Sequence, residues 1–105
     1  TYPQSLTTST IATFVFDLPF TGVVSAALSP DGKEILLKTY TNIYYFKRNE
    51  GASLLDALKS QPVTVDYVTE PLGEAIAFGR DGKGIYTLSE KGTAATVNLF
   101  YYQRK

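Results

Sequence analysis

Short runs rich in Val, Ile, Tyr and Phe recur along the chain, and Gly, Pro, Asp or Asn residues separate them. Such runs predict β-strands, because β-branched and aromatic side chains fit a pleated surface while the separating residues favour turns. We predict eight strands, near residues 11–16, 24–28, 34–40, 42–47, 63–68, 74–78, 84–89 and 97–103. The pattern therefore indicates an all-β fold.

One segment departs from this pattern and predicts a short helix near residues 53–59. Ser53 can cap its first turn, Asp56 follows three positions later in capping-box spacing, and Lys59 suits the last turn. A helix of about two turns is marginal alone. We therefore expect it to pack on a sheet.

Two parts of the chain share a pattern, about fifty positions apart. Residues 26–36 align with residues 76–86, and in both an apolar run precedes an Asp-Gly-Lys turn and a second apolar run. Asp-Gly supplies the positive φ angles that tight hairpin turns require. The similarity extends to two further pairs of segments, 42–46 with 98–102 and 13–19 with 64–71.

The first copy, with Leu-Ser-Pro-Asp-Gly-Lys at residues 28–33, resembles the repeats of TolB-like and WD40-like β-propellers. In those repeats Ser-Pro-Asp-Gly-Lys joins the first two strands of a blade. The second copy, from Gly73 to the Ser-Glu pair at residues 89–90, is similar to phytase-like and esterase-like propeller proteins. The resemblance covers about residues 23–46 and 73–90, and it implies four-stranded antiparallel blades.

We accordingly expect residues 1–105 to form a single β-propeller-like unit of two four-stranded antiparallel blades. The blade repeats would span about residues 23–68 and 73–103. Strand 11–16 would complete the second blade by pairing with residues 97–103, within one chain or between chains, as propellers commonly close. Propellers have about four to eight blades. We therefore expect a fragment of a larger propeller, a self-associating unit, or two sheets packed as a sandwich.

Composition narrows the chemistry. Ten basic and ten acidic residues cancel, and no basic cluster is longer than the two residues of Arg104-Lys105, so we expect no nucleic-acid partner. The chain has neither Cys nor His, which removes disulfides, the usual general base and the commonest zinc ligands. No apolar stretch approaches the roughly 20 residues that span a bilayer. Because the chain begins at Thr1 and lacks Met, we also expect that it is not an intact translation product.

Glu74 and Glu90 are the candidate metal ligands. They lie at neighbouring ends of two strands that a hairpin would join, which brings the carboxylates close together. The resemblance to phytase-like propellers implies Ca²⁺ at such a pair, and Ca²⁺ favours oxygen ligands. The alternative is two solvated glutamates at strand ends.

Tyrosines form the second candidate site. Stacked aromatic rings can bind peptides, sugars or bases, and strand alternation brings Tyr45 and Tyr101 towards the surface. The alternative is that the tyrosine-rich segments fill the space between blades.

Two functions remain open. The first is a non-catalytic propeller module that binds a protein, peptide or glycan, and the second is part of a Ca²⁺-dependent phytase-like or esterase-like hydrolase. The absence of a nucleophile arrangement favours the first. The composition and the resemblance favour a periplasmic or secreted bacterial protein.

Overall fold

The computed structural model describes residues 3–105 and contains two antiparallel sheets. The first sheet has, in spatial order, β1 (Val23–Leu28), β2 (Glu34–Thr39), β3 (Ile43–Lys47) and β4 (Val63–Val65). The second has β5 (Ala75–Phe78), β6 (Gly84–Leu88) and β7 (Phe100–Gln103). The prediction of an all-β fold is confirmed, and seven of the eight predicted strands are present.

The predicted helix is also present, as α1 (Leu54–Leu58). The Asp56 N–H donates to Ser53 Oγ at 3.0 Å, and the Ser53 N–H donates to the Asp56 carboxylate at 3.1 Å. This reciprocal pair is the capping box that the spacing predicts. Within residues 3–105, no helix is long and apolar enough to cross a membrane.

The two Asp-Gly turns close the β1–β2 and β5–β6 hairpins in the same way. Gly32 and Gly82 have φ angles of 73° and 70°, the left-handed region that glycine favours. The Asp31 carboxylate accepts from the N–H two positions later at 3.0 Å, and Asp81 does the same at the same distance. Turn geometry therefore accounts for both aspartates.

The first sheet is covered on both faces. Ile35 of β2 belongs to a cluster with Ala57 of α1, and Phe20 packs against that cluster. Leu36 has the opposite orientation and packs with Ile76 of β5. Because successive side chains on a strand point to opposite faces, α1 and the segment around Phe20 cover one face, and the second sheet covers the other.

The second sheet is covered on one face only. Ile76 and Phe78 contribute to the core between the sheets, and the two sheets adjoin along β1 and β5. On the opposite face, Ala77, Tyr86 and Leu88 are exposed. This outer face is an apolar surface that nothing in the described residues covers.

The prediction of a strand at residues 11–16 is wrong for the single chain. These residues are irregular and largely exposed, and they do not pair with residues 97–103. The second sheet therefore has three strands instead of four. The reason lies just downstream, where Leu18 and Phe20 are fixed on the face of the first sheet opposite the second sheet.

Candidate functional site

Strand β2 carries a charged residue at each end of the face that it turns towards the second sheet. Glu34 begins this face, Leu36 continues it, and Lys38 ends it. Glu34 and Leu36 line a cleft between the sheets, whereas Lys38 is fully buried. The space between the sheets thus has two chemically different ends.

The cleft has a volume of about 750 Å³. Apolar and aromatic side chains form much of its lining: Leu36, Tyr45, Val65, Phe78, Ile85 and Tyr101. Glu34 and Arg104 add opposite charges. A cleft of this size, largely apolar with a few convergent polar groups, has the properties of a binding site.

A hydrogen bond and an ion pair hold the polar groups of the cleft in position. The Tyr45 hydroxyl donates to Glu34 Oε1 at 2.8 Å, and Arg104 forms an ion pair with the same oxygen. Burial raises the pKa of Tyr45 to about 12, and the hydrogen bond to Glu34 adds to this shift. The hydroxyl therefore remains a protonated donor at neutral pH.

Tyr101 borders the cleft on β7, but it lies opposite Tyr86, so its ring is on the outer face of the second sheet. Its ring lies 4.9 Å from the ring of Tyr86, centroid to centroid, and Tyr101 is half-exposed. A Cβ on Gly84 would lie 2.6 Å from the Tyr101 ring and 2.5 Å from the Tyr102 carbonyl oxygen, so only glycine fits beneath this ring. Both predicted tyrosines therefore border one cleft, Tyr45 from the face between the sheets and Tyr101 from the outer face of β7.

The opposite end contains a buried lysine cluster, which we define as Lys38, Glu70, Gly73 and Thr87. Lys38 has no exposed surface, and its Nζ donates to the carbonyls of Gly73 and, at 3.0 Å, Thr39. Burial lowers the pKa of Lys38, while the negative charges of Glu70 and Glu74 oppose that shift. The ammonium group thus links the first sheet to the segment that enters β5.

Glu70 is buried next to this ammonium. Its Oε1 accepts from Thr87 Oγ1 at 2.7 Å, and its Oε2 has no hydrogen-bond partner. A half-bonded buried carboxylate is costly unless a positive charge lies nearby. Sequence reasoning missed this cluster, although a lysine directly after the apolar run at residues 35–37 was a signal for it.

Strain and hydrogen bonds hold the connecting segment in place. Leu72 adopts a φ of 53°, which is uncommon for a residue other than glycine. Its carbonyl accepts from the Glu90 N–H at 3.1 Å, and the Gly73 N–H donates to the Glu70 carbonyl at 3.1 Å. A Cβ on Gly73 would lie 3.0 Å from that carbonyl oxygen and 3.2 Å from Lys38 Nζ.

Glu74 and Glu90 lie near one another, since both act on Tyr40. The Tyr40 hydroxyl donates to Glu74 Oε1 at 2.6 Å, and this bond is the main reason why its pKa is raised, with Glu90 contributing least. The fit to Ca²⁺ is poor. One carboxylate is already bonded to Tyr40, the Lys38 ammonium is close, and the described residues contain no group of three or more acidic, His or Cys side chains that could hold a metal.

Comparison of the chain with protein-family models, with curated proteins and with solved structures gives no match. The propeller resemblance of residues 28–33 and 73–90 therefore stays a prediction.

Proposed function

We propose that this chain is a non-catalytic binding module made of two propeller-type blades, and that it binds a peptide segment of another protein in the cleft. The observation that carries the proposal is the cleft itself, in which Tyr45 and Arg104 are both bonded to Glu34 and which Tyr101 borders on the second sheet. Tyr and Arg are enriched at protein interfaces and dominate their binding energy. The charge pair offers a partner to an acidic or a basic peptide side chain.

Shared backbone geometry supports the blade part of the proposal. In the first sheet, the Arg48 N–H donates to the Lys33 carbonyl at 2.8 Å, and in the second the Arg104 N–H donates to the Lys83 carbonyl at the same distance. Strand registers agree as well. Position 35 lies opposite position 46 in the first sheet, and position 85 lies opposite position 102 in the second. Both sheets thus follow one pattern, as successive repeats would.

The distribution of ionisable groups supports a binding rather than a catalytic role. Lys38, whose lowered pKa would suit a catalytic amine, has no exposed surface and cannot meet a substrate. Tyr45 keeps its proton, and the chain has no His or Cys to act as base or nucleophile. No observation favours the Ca²⁺-dependent hydrolase over the binding module.

The test is selection of peptides from a random displayed library, followed by calorimetric titration of the selected peptide. Tyr101→Ala should weaken binding by about five- to thirtyfold, the effect of about 1–2 kcal/mol expected for an aromatic anchor. Tyr40→Ala is the matched control, since Tyr40 is exposed to 44% and Tyr101 to 46% but Tyr40 lies outside the cleft lining.

Equal loss in both variants, or no loss in either, would contradict binding in the cleft. Binding of the protein to a glycan array is a second test, for a sugar ligand in place of a peptide. Binding of a glycan that depends on Tyr101, together with failure of every selected peptide, would replace the peptide with a sugar ligand.

A further inference from the structure

The second sheet has an open edge. In the first sheet β3 pairs with β2 on one side and with β4 on the other, whereas β7 pairs only with β6. Residues 3–105 supply no strand for the free side of β7. An edge strand of this kind offers unpaired N–H and C=O groups to any extended segment that reaches it.

One segment of the chain has strand-forming character and no strand partner. Residues 11–16 read Ile-Ala-Thr-Phe-Val-Phe, a composition that favours strands. Ile11 is 88% exposed and Phe14 76% exposed. Large apolar side chains grouped in this way on a protein surface mark an interaction site.

The order of strands in the chain shows where such a segment belongs. β4 precedes β5 in sequence, yet it pairs with β3 and completes the first sheet. The strand before a sheet therefore belongs to the preceding sheet. Residues 13–19 resemble residues 64–71, the segment that begins within β4, and by the same rule residues 11–16 belong to a sheet that precedes the first one.

The second sheet of the same molecule is not the sheet to which residues 11–16 would belong. Phe20 stacks on Tyr44 with 4.3 Å between ring centroids, and the Lys59 ammonium lies 5.7 Å from the ring centroid of Phe16. Both contacts hold residues 16–20 beside the face of the first sheet that α1 covers, with the second sheet on the other side. Residues 3–105 contain no further sheet that could precede the first one.

We propose that residues 11–16 of one copy of this chain add to β7 of a second copy and form the fourth strand of its second sheet. The contact is head to tail, so repetition closes a ring or extends a filament. With about four to eight sheets in a closed propeller, the ring would hold about two to four copies. The inference rests on the blade repeat of the proposed function but not on its cleft, so peptide binding and assembly can fail separately.

The repeat also predicts the register. Val63 lies opposite Tyr45 and Thr64 opposite Tyr44 in the first sheet. The equivalent pairs between copies are Ala12 opposite Tyr101 and Thr13 opposite Phe100.

Because the chain has no Cys, single cysteines test this register directly. Ala12→Cys and Tyr101→Cys proteins, mixed and oxidised, should give a disulfide-linked heterodimer. Each protein oxidised alone should give none from this contact. Thr13→Cys mixed with Tyr101→Cys is the matched control, because a shift of one residue turns the side chain to the other face of the sheet.

A second measurement is the solution mass by light scattering over a range of concentrations. The wild type should exceed the 11.5 kDa of one chain. Ala12→Pro should return it to a monomer, because Ala12 would take the place of Val63, whose N–H faces β3, and proline cannot donate to a strand ladder. Ser9→Pro, which lies before the added strand, should not. The inference is overturned by a wild type that stays monomeric, or by assembly without the Ala12–Tyr101 cross-link.

Discussion

Substitution of Lys38 by methionine probes how the two sheets are joined. Methionine keeps the apolar stem of the side chain but removes the donor to the Gly73 and Thr39 carbonyls. It also leaves the buried Glu70 carboxylate, whose Oε2 has no hydrogen-bond partner, without a neighbouring positive charge. We expect Lys38→Met to destabilise the protein by about 3 kcal/mol, near the lower end of the effect of breaking a buried charge pair.

The geometry indicates how much of this loss comes from Glu70. Lys38 Nζ and Glu70 Cβ lie 3.2 Å and 3.3 Å from the position that a Cβ on Gly73 would occupy. Unit charges about 4–8 Å apart interact by about 2–4 kcal/mol at an effective dielectric constant of about 20. Glu70→Gln keeps an acceptor for Thr87 and removes the charge. The double variant should therefore recover about 2 kcal/mol relative to the sum of the two single effects.

The assay is urea unfolding at pH 7 for the wild type, both single variants and the double variant. Lys47→Met, at an exposed position on β3, is the control and should change stability by less than about 0.5 kcal/mol. If the effects of Lys38→Met and Glu70→Gln add within about 0.5 kcal/mol, the two charges are not coupled and the reasoning is refuted.

Three further predictions concern Gly84, the pKa of Tyr45 and the effect of Ca²⁺. Gly84→Ala should destabilise by about 1–3 kcal/mol, because its Cβ would lie 2.5 Å from a backbone oxygen; unchanged urea unfolding would contradict this contact. The pKa of Tyr45 is raised from 10 to about 12, so the stability that it contributes is complete below pH 10 and is lost as the pH rises to 12. Tyr45→Phe should flatten that part of the stability profile, and a profile as steep as that of the wild type would count against it. Millimolar Ca²⁺ should leave the melting temperature unchanged, whereas a rise that Glu74→Gln abolishes would support the hydrolase alternative.

Features determined by neighbouring residues were predictable from the sequence. The capping box between Ser53 and Asp56 and the turns at Gly32 and Gly82 all form as expected, because their spacing alone specifies their hydrogen bonds. The predicted strand at residues 11–16 does not form within the single chain. Strand propensity describes only how well side chains suit a sheet, and a strand also needs an edge with which to pair.

The two candidate sites also differed in how far the sequence predicts them. Tyr45 and Tyr101 could be identified from the sequence, because both are aromatic and side chains along a strand alternate between its two faces. That both border one cleft depends on how the two sheets pack. The internal repeat of the sequence does not show this packing. Lys38 and Glu70 were missed for a related reason. Their burial requires the segment before β5 to fold over the end of β2, and the positive φ of Leu72 on which that fold depends has no sequence signal.

The two ends of the space between the sheets support the proposed binding and assembly roles in different ways. At one end the ionisable groups serve the fold, since Lys38 is fully buried and bonded to backbone carbonyls. At the other end Tyr45, Glu34 and Arg104 are bonded to each other and remain accessible from the cleft. The aromatic cleft and the unpaired edge of β7 are the two surfaces that we propose to bind other chains.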